Sequence, residues 1–426
     1  MNAVYNLLLH LSLPFLLPYL AVKTLVTNRY RMGLRERFGL IDRDKLRELK
    51  DSPSIWIHAV SVGEVNAAIP LINRLRERYP ERKIAVSTVT VTGQDNAAKK
   101  IPSADLIFFF PLDLTWVVRR VIRILRPDIF IVMETEIWPN TLKILHKNRI
   151  PAILVNGRIS SASFRRYKRF RFFFKGVLGC FSLLSMQSER DTERIIGLGA
   201  DKKKVVTSGN IKFDQTAPIY NKDASTLYEG VNLDTKDELL IAGSTHKGED
   251  EIILDVFGSL KKEFPSLRLI LAPRHPERFR EVDDLVISKG FSLIRKTDLD
   301  RGERHPFDVI LLDTIGELNI IYKIATIVFV GGSLVEKGGH NFLEPAVYGK
   351  PVLFGPFVDN FPTIANAMIE GGGGIKVRDG DELLSQIRRL LLNPSLIKEV
   401  GSAAQKVLEA GKGALDKNME LIDRLL

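Results

Sequence analysis

Residues Ile57 to Ala68 read IHAVSVGEVNAA. The stretch begins as an apolar run, SIWIHAV over Ser54–Val60, turns at small residues, and continues as an amphipathic segment, Val65–Tyr79. A short apolar run reads as a strand buried on both faces, and a 3.6-residue apolar period reads as a helix. Strand, tight turn and helix in succession open a parallel α/β unit. A carboxylate, Glu64, stands at the mouth of that turn. Parallel sheets bind ligands beyond the carboxyl ends of their strands, so Glu64 is a candidate for chemistry. The competing reading is an acid at a helix N-terminus, favoured there by the helix dipole.

Outward from this stretch the pattern repeats. Strands are expected at Lys83–Thr88, Asp105–Phe110, Asp128–Met133, Ala152–Val155 and Leu183–Gln187, with helices such as Asn140–Lys147 between them. The pattern fades over 211–236 and restarts at Glu238–Ala242, Leu267–Ala272, Phe291–Arg295, Asp308–Leu312, Ile327–Val330 and Val352–Phe354. Helical sequence closes the chain, over 381–392 and 395–425. Strands alternating with helices predict parallel sheets covered on both sides. The expectation is therefore two doubly wound domains in tandem with a cleft between them: 28–210, a linker over 211–236, and 237–426.

The chain has 426 residues and a net charge of +11, with 62 Lys and Arg against 51 Asp and Glu. Such a balance favours anionic partners. One cysteine, Cys180, excludes an internal disulfide and a cysteine-rich zinc site. No Walker A, G-x-S-x-G or H-x-x-x-H motif occurs. Residues 1–22 carry no charged side chain, and Lys23, Arg29, Arg31, Arg35 and Arg37 follow. About 20 apolar residues suffice to span a bilayer, and the flanking cations place the bulk of the chain on the cytoplasmic side. Residues 1–27 are read as a membrane anchor, spanning or lying in the interface.

In DIFIVMETEIWPN, Glu134 and Glu136 follow another strand. With Glu64 they put three acids at strand ends, and clustered like charges raise a carboxylate's proton affinity toward that of a general base. One of the pair could instead cap the helix starting at WPN. The run 156–176, NGRISSASFRRYKRFRFFFKG, interleaves seven cations, Arg158 among them, with six aromatic rings. It suits single-stranded nucleic acid or an anionic membrane surface, or a helix with a phenylalanine core face. The apolar N-terminus favours the membrane, and no nucleic-acid module is present. Lys212 in SGNIKFD is either a phosphate-binding point charge or a solvated lysine. In the second half, LAPRHPERF places Pro273, Arg274 and His275 after a strand, and TIGEL places Ile315, Gly316 and Glu317 at a turn. The stretch VGGSLVEKGGHNFLEPA has glycine pairs at 331–332 and 338–339 that let backbone approach a ligand, then a helix start offering amides to phosphate. His340 there is a turn residue or a ligand-binding one.

Taken together, HAVSVGE (58–64), METEIWPN (133–140), NGRIS (156–160), SGNIKFD (208–214), APRHPERF (272–279), TIGEL (314–318) and GGHNFLEPA (338–346) resemble the transferases of 3-deoxy-D-manno-oct-2-ulosonic acid (Kdo). The resemblance runs almost end to end. It implies a GT-B fold of two Rossmann-like domains, the acceptor on the first and the donor CMP-Kdo on the second. It implies transfer of Kdo to a lipid A precursor, lipid IVA, at the cytoplasmic face of the inner membrane, by inversion, with no metal cofactor and no nucleic acid partner. By the resemblance Glu64 matches the general base, and Glu134 and Lys212 the residues that stabilise the transition state. Pro273 and Arg274, Ile315 to Glu317, and Asn341, Phe342, Leu343 and Glu344 match the CMP-binding segments. Rival readings are a GT-B enzyme or epimerase using a UDP-sugar, separated by whether CMP or UDP competes, and a membrane-docked binding protein without catalysis.

Overall fold

The computed structural model describes residues 5–12, 14, 33–46, 49, 52–214, 224–234 and 237–426. The chain divides into two compact units, residues 1–215 with 412–426, and residues 216–411. The first unit is a parallel sheet of β1 (Ser54–His58), β2 (Lys83–Thr88), β3 (Leu106–Phe109), β4 (Pro127–Met133), β5 (Ala152–Gly157), β6 (Leu183–Met186) and β7 (Val205–Thr207), in the order 3-2-1-4-5-6-7. The second is a parallel sheet of β8 (Leu239–Thr245), β9 (Arg268–Pro273), β10 (Leu293–Arg295), β11 (Val309–Leu311), β12 (Ile327–Val330), β13 (Val352–Phe354) and β14 (Gly374–Lys376), in the order 10-11-9-8-12-13-14. The helices that bear on the site are α1 (Val62–Arg78), α2 (Pro139–Lys147), α3 (Ser161–Lys168), α4 (Arg171–Leu178), α5 (Glu249–Lys261), α6 (Leu343–Ala346), α7 (Pro394–Gly411) and α8 (Ala414–Asp423).

Strand β1 shows why the sequence folds this way. All five of its residues are buried. Trp56 points to one face of the sheet and stacks among Phe108, Phe110 and Phe130. Ile55 and Ile57 point to the other face, against Leu71 and Ile72 of α1. A strand covered on both faces has no polar side, which is why it reads as a continuous apolar run. In each sheet the chain reverses its winding at the central strand, between β1 and β4 and between β8 and β12. Ligands bind at such switch points.

Three expectations need correction. Strands β7 and β14 went unread because each has three residues at a sheet edge. The closing helix over 395–425 is two helices, broken at Gly413, whose φ of 91° is left-handed. Its last part, α8, belongs to the first unit and not, as the 237–426 boundary had it, to the second. Ala414, Met419 and Ile422 of α8 join the core beside Ile211. Tyr79 Oη donates to Asp423 at 2.5 Å, and Arg74 pairs with Asp416 at 2.7 Å.

The anchor reading of 1–27 falls mostly outside the described residues, as does much of the linker. Residues 5–12 are helical and held to the first unit. Tyr5 Oη donates to Asp113 at 2.9 Å, and Asn6 and Asn140 exchange amide hydrogen bonds. Among the described residues no helix is long and apolar enough to cross a membrane.

Candidate active site

Glu64 is the third residue of α1, where the β1 chain turns into the helix. Its Oε2 accepts the Val60 N–H at 2.8 Å and its Oε1 accepts the Ser61 hydroxyl at 3.2 Å. It is therefore a helix-start acid, as the competing reading had it, but the local geometry does not exhaust its surroundings. Burial, helped by the charges of Glu134 and Glu136, pushes its carboxyl up to about 8, against the pull of the two hydrogen bonds. The small-residue turn is itself the start of the helix, with Val62 and Gly63 in its first turn. A Cβ on Gly63 would meet nothing nearer than 3.9 Å, so the space in front of the turn is open.

Glu134 follows β4, the neighbour of β1. Its backbone is left-handed (φ 56°) and its N–H bonds the Val155 carbonyl at 3.0 Å. The side chain is buried. Arg158 Nε donates to its Oε2 at 2.8 Å, and Lys212 Nζ lies 3.8 Å from its Oε1. Neither Glu134 nor Glu136 caps α2. Asp113 does so, accepting the N–H groups of Asn140 and Thr141 at 2.9 and 2.8 Å. Both glutamates instead act on Glu64 through their charge. Burial, and to a lesser degree Glu134, raise the Glu136 carboxyl.

Lys212 rides on a single 3₁₀ turn, Ile211–Asp214, pinned from both sides. Asn156 Oδ1 accepts the Ile211 N–H at 3.1 Å. The Asp214 carboxylate accepts the N–H groups of Gly413 and Leu415, each at 2.7 Å. Burial lowers the Lys212 ammonium, and the neighbouring Glu134 works against that shift. Strand ends separated by up to 148 positions in the chain (212 − 64) thus place two cations and three carboxylates in one group.

The second unit gathers its own polar groups beyond β8, β9 and β12. Arg274 is exposed after β9, its N–H bonded to the Thr245 carbonyl at 2.9 Å. Its positive charge acts on Glu344, which accepts from Asn341 Nδ2 at 3.2 Å and whose carboxyl is raised chiefly by burial. Ile315 is 83% exposed beside Gly316, whose φ is 93°. Thr314 Oγ1 donates to Glu317 and holds this turn. Phe342 and Leu343 are core residues whose side chains are shut off from solvent. Pro273 is the buried last residue of β9.

Two expectations in this unit change. The close approach that the Gly331–Gly332 pair allows is made by the chain's own groups, at the amides of residues 332–334. The buried Glu249 at the start of α5 takes them, accepting the N–H groups of Gly332, Ser333 and Leu334 at 2.6, 2.9 and 2.9 Å, and of His246 at 2.9 Å. Helix α6 is a single four-residue turn, with Glu344 inside it. His340 is paired: its Nε2 lies 2.9 Å from Nε2 of His246, with the rings parallel. Burial lowers both imidazoles to about 4, so the pair is neutral at pH 7 and shares one hydrogen along the bond.

The model of the family described as 3-Deoxy-D-manno-octulosonic-acid transferase (kdotransferase) matches residues 32–215. A 3-deoxy-D-manno-octulosonic acid transferase of Haemophilus influenzae is 36% identical over 98% of this chain and 97% of its own. The chain belongs to the 3-deoxy-D-manno-octulosonic acid transferase family. Its fold is shared more widely. A UDP-GlcNAc 2-epimerase of Neisseria meningitidis aligns over 87% of this chain and all of its own with a TM-score of 0.57 at 12% identity. A glycosyltransferase of Rickettsia africae aligns over 88% of this chain and 99% of its own with a TM-score of 0.56 at 14% identity. At such identities the likeness speaks for the fold alone: two parallel-sheet units of the kind found in GT-B glycosyltransferases.

Within this Kdo transferase the structure brings Glu64, Glu134 and Lys212 together and adds Arg158 and Asn156, which the sequence reading had not separated from their surroundings. It also adds His246 and Glu249. The signal for those two was STHKGE (244–249), a polar cluster that overlaps the carboxyl end of the central strand β8. The basic–aromatic run is divided. Phe164, Tyr167, Phe173 and Phe174 on α3 and α4 pack against the core, while Phe170 and Phe172 stand exposed among the cations.

Proposed function

We propose that the protein transfers Kdo from CMP-Kdo to a hydroxyl of a lipid A precursor, with inversion and without a metal ion. The observation that carries this reading is the raised Glu64 carboxyl beside the Arg158–Glu134–Lys212 chain, in a chain of this family. Ionised Glu64 takes the proton of the acceptor hydroxyl. That oxygen attacks the anomeric carbon of Kdo, the bond from that carbon to the phosphate oxygen breaks, and CMP leaves with the electron pair. A base with a pKa near the working pH combines availability with proton-transfer power. Glu134 balances positive charge on an oxocarbenium-like sugar, and Lys212 offsets the charge of the departing phosphate, where fixed charges act strongly.

CMP is bound by the second unit, at Pro273–Arg274, Ile315–Glu317 and Asn341–Glu344. Arg274 supplies the cation for phosphate, Ile315 an apolar face, and Glu344 an acceptor for ribose hydroxyls. Because Glu249 fills the Gly332–Leu334 amides, the phosphate depends on Arg274 rather than on a glycine turn. We further propose that the protein works at the cytoplasmic face of the inner membrane. Support comes from the exposed Leu7, Leu8 and Leu11 of the N-terminal helix and from exposed Phe170 and Phe172 beside the cations of 165–175, a pairing suited to an anionic interface.

The test is transfer by purified protein with a tetra-acylated lipid A precursor and CMP-Kdo, read by mass spectrometry. A product heavier by Kdo units is expected. Folded protein that binds CMP but yields no such product would refute the reaction.

A further inference from the structure

Glu134 is held by two cations that differ in what they have left to offer. Lys212 is mostly buried, at 15% side-chain exposure, whereas Arg158 is 41% exposed. Arg158 gives only its Nε to Glu134. Among the described residues its Nη1 and Nη2 carry no hydrogen bond, so the outer edge of the guanidinium, two parallel donors, faces away from the pair.

The residue is also fixed in place. Thr135 Oγ1 donates to its carbonyl, and the next N–H, of Ile159, is held by Asp191 Oδ1 at 2.8 Å. The neighbouring Ile159 carbonyl accepts from Arg194. Its Nε bond to Glu134 fixes the plane of the fork. A surface arginine recruited only to neutralise Glu134 would need none of this, because Lys212 already stands against the other oxygen. A planar, pre-oriented pair of N–H donors at a strand end matches a bidentate oxyanion.

From this geometry we infer that Arg158 binds a substrate oxyanion through Nη1 and Nη2, namely the carboxylate that an ulosonic acid donor carries on its anomeric carbon. The inference rests on the proposed Kdo transfer. That carboxylate is one bond from the reacting carbon, and Arg158 is one residue contact from the acid group that contains Glu64. A phosphate of the lipid acceptor has the same chemistry and is the alternative source. Arg158 would then select sugars bearing a carboxylate at the anomeric centre over neutral hexoses. Lysine could supply the charge but not the paired donors.

The test compares wild type, Arg158→Gln and Arg158→Lys in the transfer assay, with KM for donor and acceptor measured separately. Urea unfolding followed by a probe confined to the first unit serves as the folding control for Arg158, and CMP binding by calorimetry checks the second unit. For Arg158→Gln the donor KM should rise tenfold to a hundredfold, the range for a lost charged hydrogen-bond pair, with the acceptor KM unchanged. Arg158→Lys should recover part of the loss. A rise in acceptor KM alone, abolished when the acceptor lacks its phosphates, would overturn the carboxylate in favour of phosphate. A fall in kcat with both KM values unchanged would overturn binding altogether and leave Arg158 as a partner of Glu134. If wild-type protein transfers no Kdo, the proposed function fails. The inference is then read separately by titrating free Kdo and its uncharged methyl ester. Wild type preferring the acid and Arg158→Gln losing that preference sustains it, and equal binding in both proteins ends it.

Discussion

If Glu64 is a buried base, replacing it should make the protein inactive and more stable, by an amount that depends on pH. The carboxyl shifts from 4.5 to about 8 on folding, chiefly through burial. The native state therefore holds a proton that the unfolded chain has released over the window from 4.5 to about 8. With more protons bound in the native state, stability falls as pH rises through that window and levels off above it. At 1.36 kcal/mol per unit of pKa the full loss is about 5 kcal/mol, of which roughly 2 is incurred by pH 6 and roughly 3 by pH 7. Glu64→Gln carries no such loss. Its amide oxygen still accepts from Val60 and its NH₂ can donate to Ser61. Urea unfolding of both proteins at pH 6 and pH 9 measures the effect, using a probe confined to the first unit because the chain has two units and need not unfold in one step. The variant should be the more stable at both values, with a gap about 3 kcal/mol wider at pH 9. A gap that stays constant between pH 6 and pH 9 would show that Glu64 titrates alike folded and unfolded. The account of its activation would then be wrong, whatever the variant's activity.

The pH dependence of catalysis follows from the same carboxyl: kcat/KM for transfer should climb tenfold per pH unit below about 8 and flatten above it. A profile flat from pH 6 to 9 would deny Glu64 the base role. Lys212→Met should lower kcat by about 10²–10³-fold, the range for one positioned charge at a reacting centre, with CMP affinity by calorimetry unchanged. Loss of CMP binding instead would mark the lysine as a contact of the bound phosphate rather than of the transition state, and lost stability of the first unit would mark it as structural. Glu249→Ala strips partners from four backbone N–H groups, three of them buried, each buried one costing roughly 1–3 kcal/mol unsatisfied and less than additive together. A drop in thermal stability of the second unit with weakened CMP binding is expected, and wild-type melting behaviour would contradict the assigned role.

What could be read in the sequence followed from burial. Strands β1, β4 and β8 are covered on both faces and five to seven residues long, so their apolar runs stand out. Strands β7 and β14 have three residues at the edge, too few to form a pattern. Glu64 and Glu134 were visible as acids at strand ends, but their meeting depends on β1 lying beside β4, which is a property of the sheet order and not of either segment. Lys212 was visible and its fixing was not, because Asn156 and Asp214 hold its turn from 55 residues upstream and from contacts with 413 and 415. Arg158 was hidden in a run of cations whose other members lie on the two helices beyond it and the turn between them. The glycine pair at 331–332 does allow a close approach, made here by a side chain of the same unit. Glycine turns with outward amides suit any anion, and here the anion is the chain's own Glu249.

That contrast separates two ways of burying a carboxylate. Glu249 is enclosed by four backbone N–H groups, the arrangement expected where a charge ties two loops together. Glu64 has one N–H and one hydroxyl, and stands near two further acids that oppose its ionisation. Glu134, a few residues from the switch point, occupies a left-handed backbone that costs a non-glycine residue about 1–3 kcal/mol. Asn156, which sets the Lys212 turn, does the same with φ 57°. A sequence chosen for stability alone would place a neutral side chain at 64 and glycine at 134. The first change would spare the burial of a carboxylate, whereas the second would relieve the backbone but leave the buried Lys212 without its carboxylate partner. Set against these costs are two hydrogen bonds at Glu64 and two ion pairs at Glu134. The costs are accounted for if the first unit must hold an acid that gives up its proton reluctantly and takes one readily, beside cations that meet an anionic substrate.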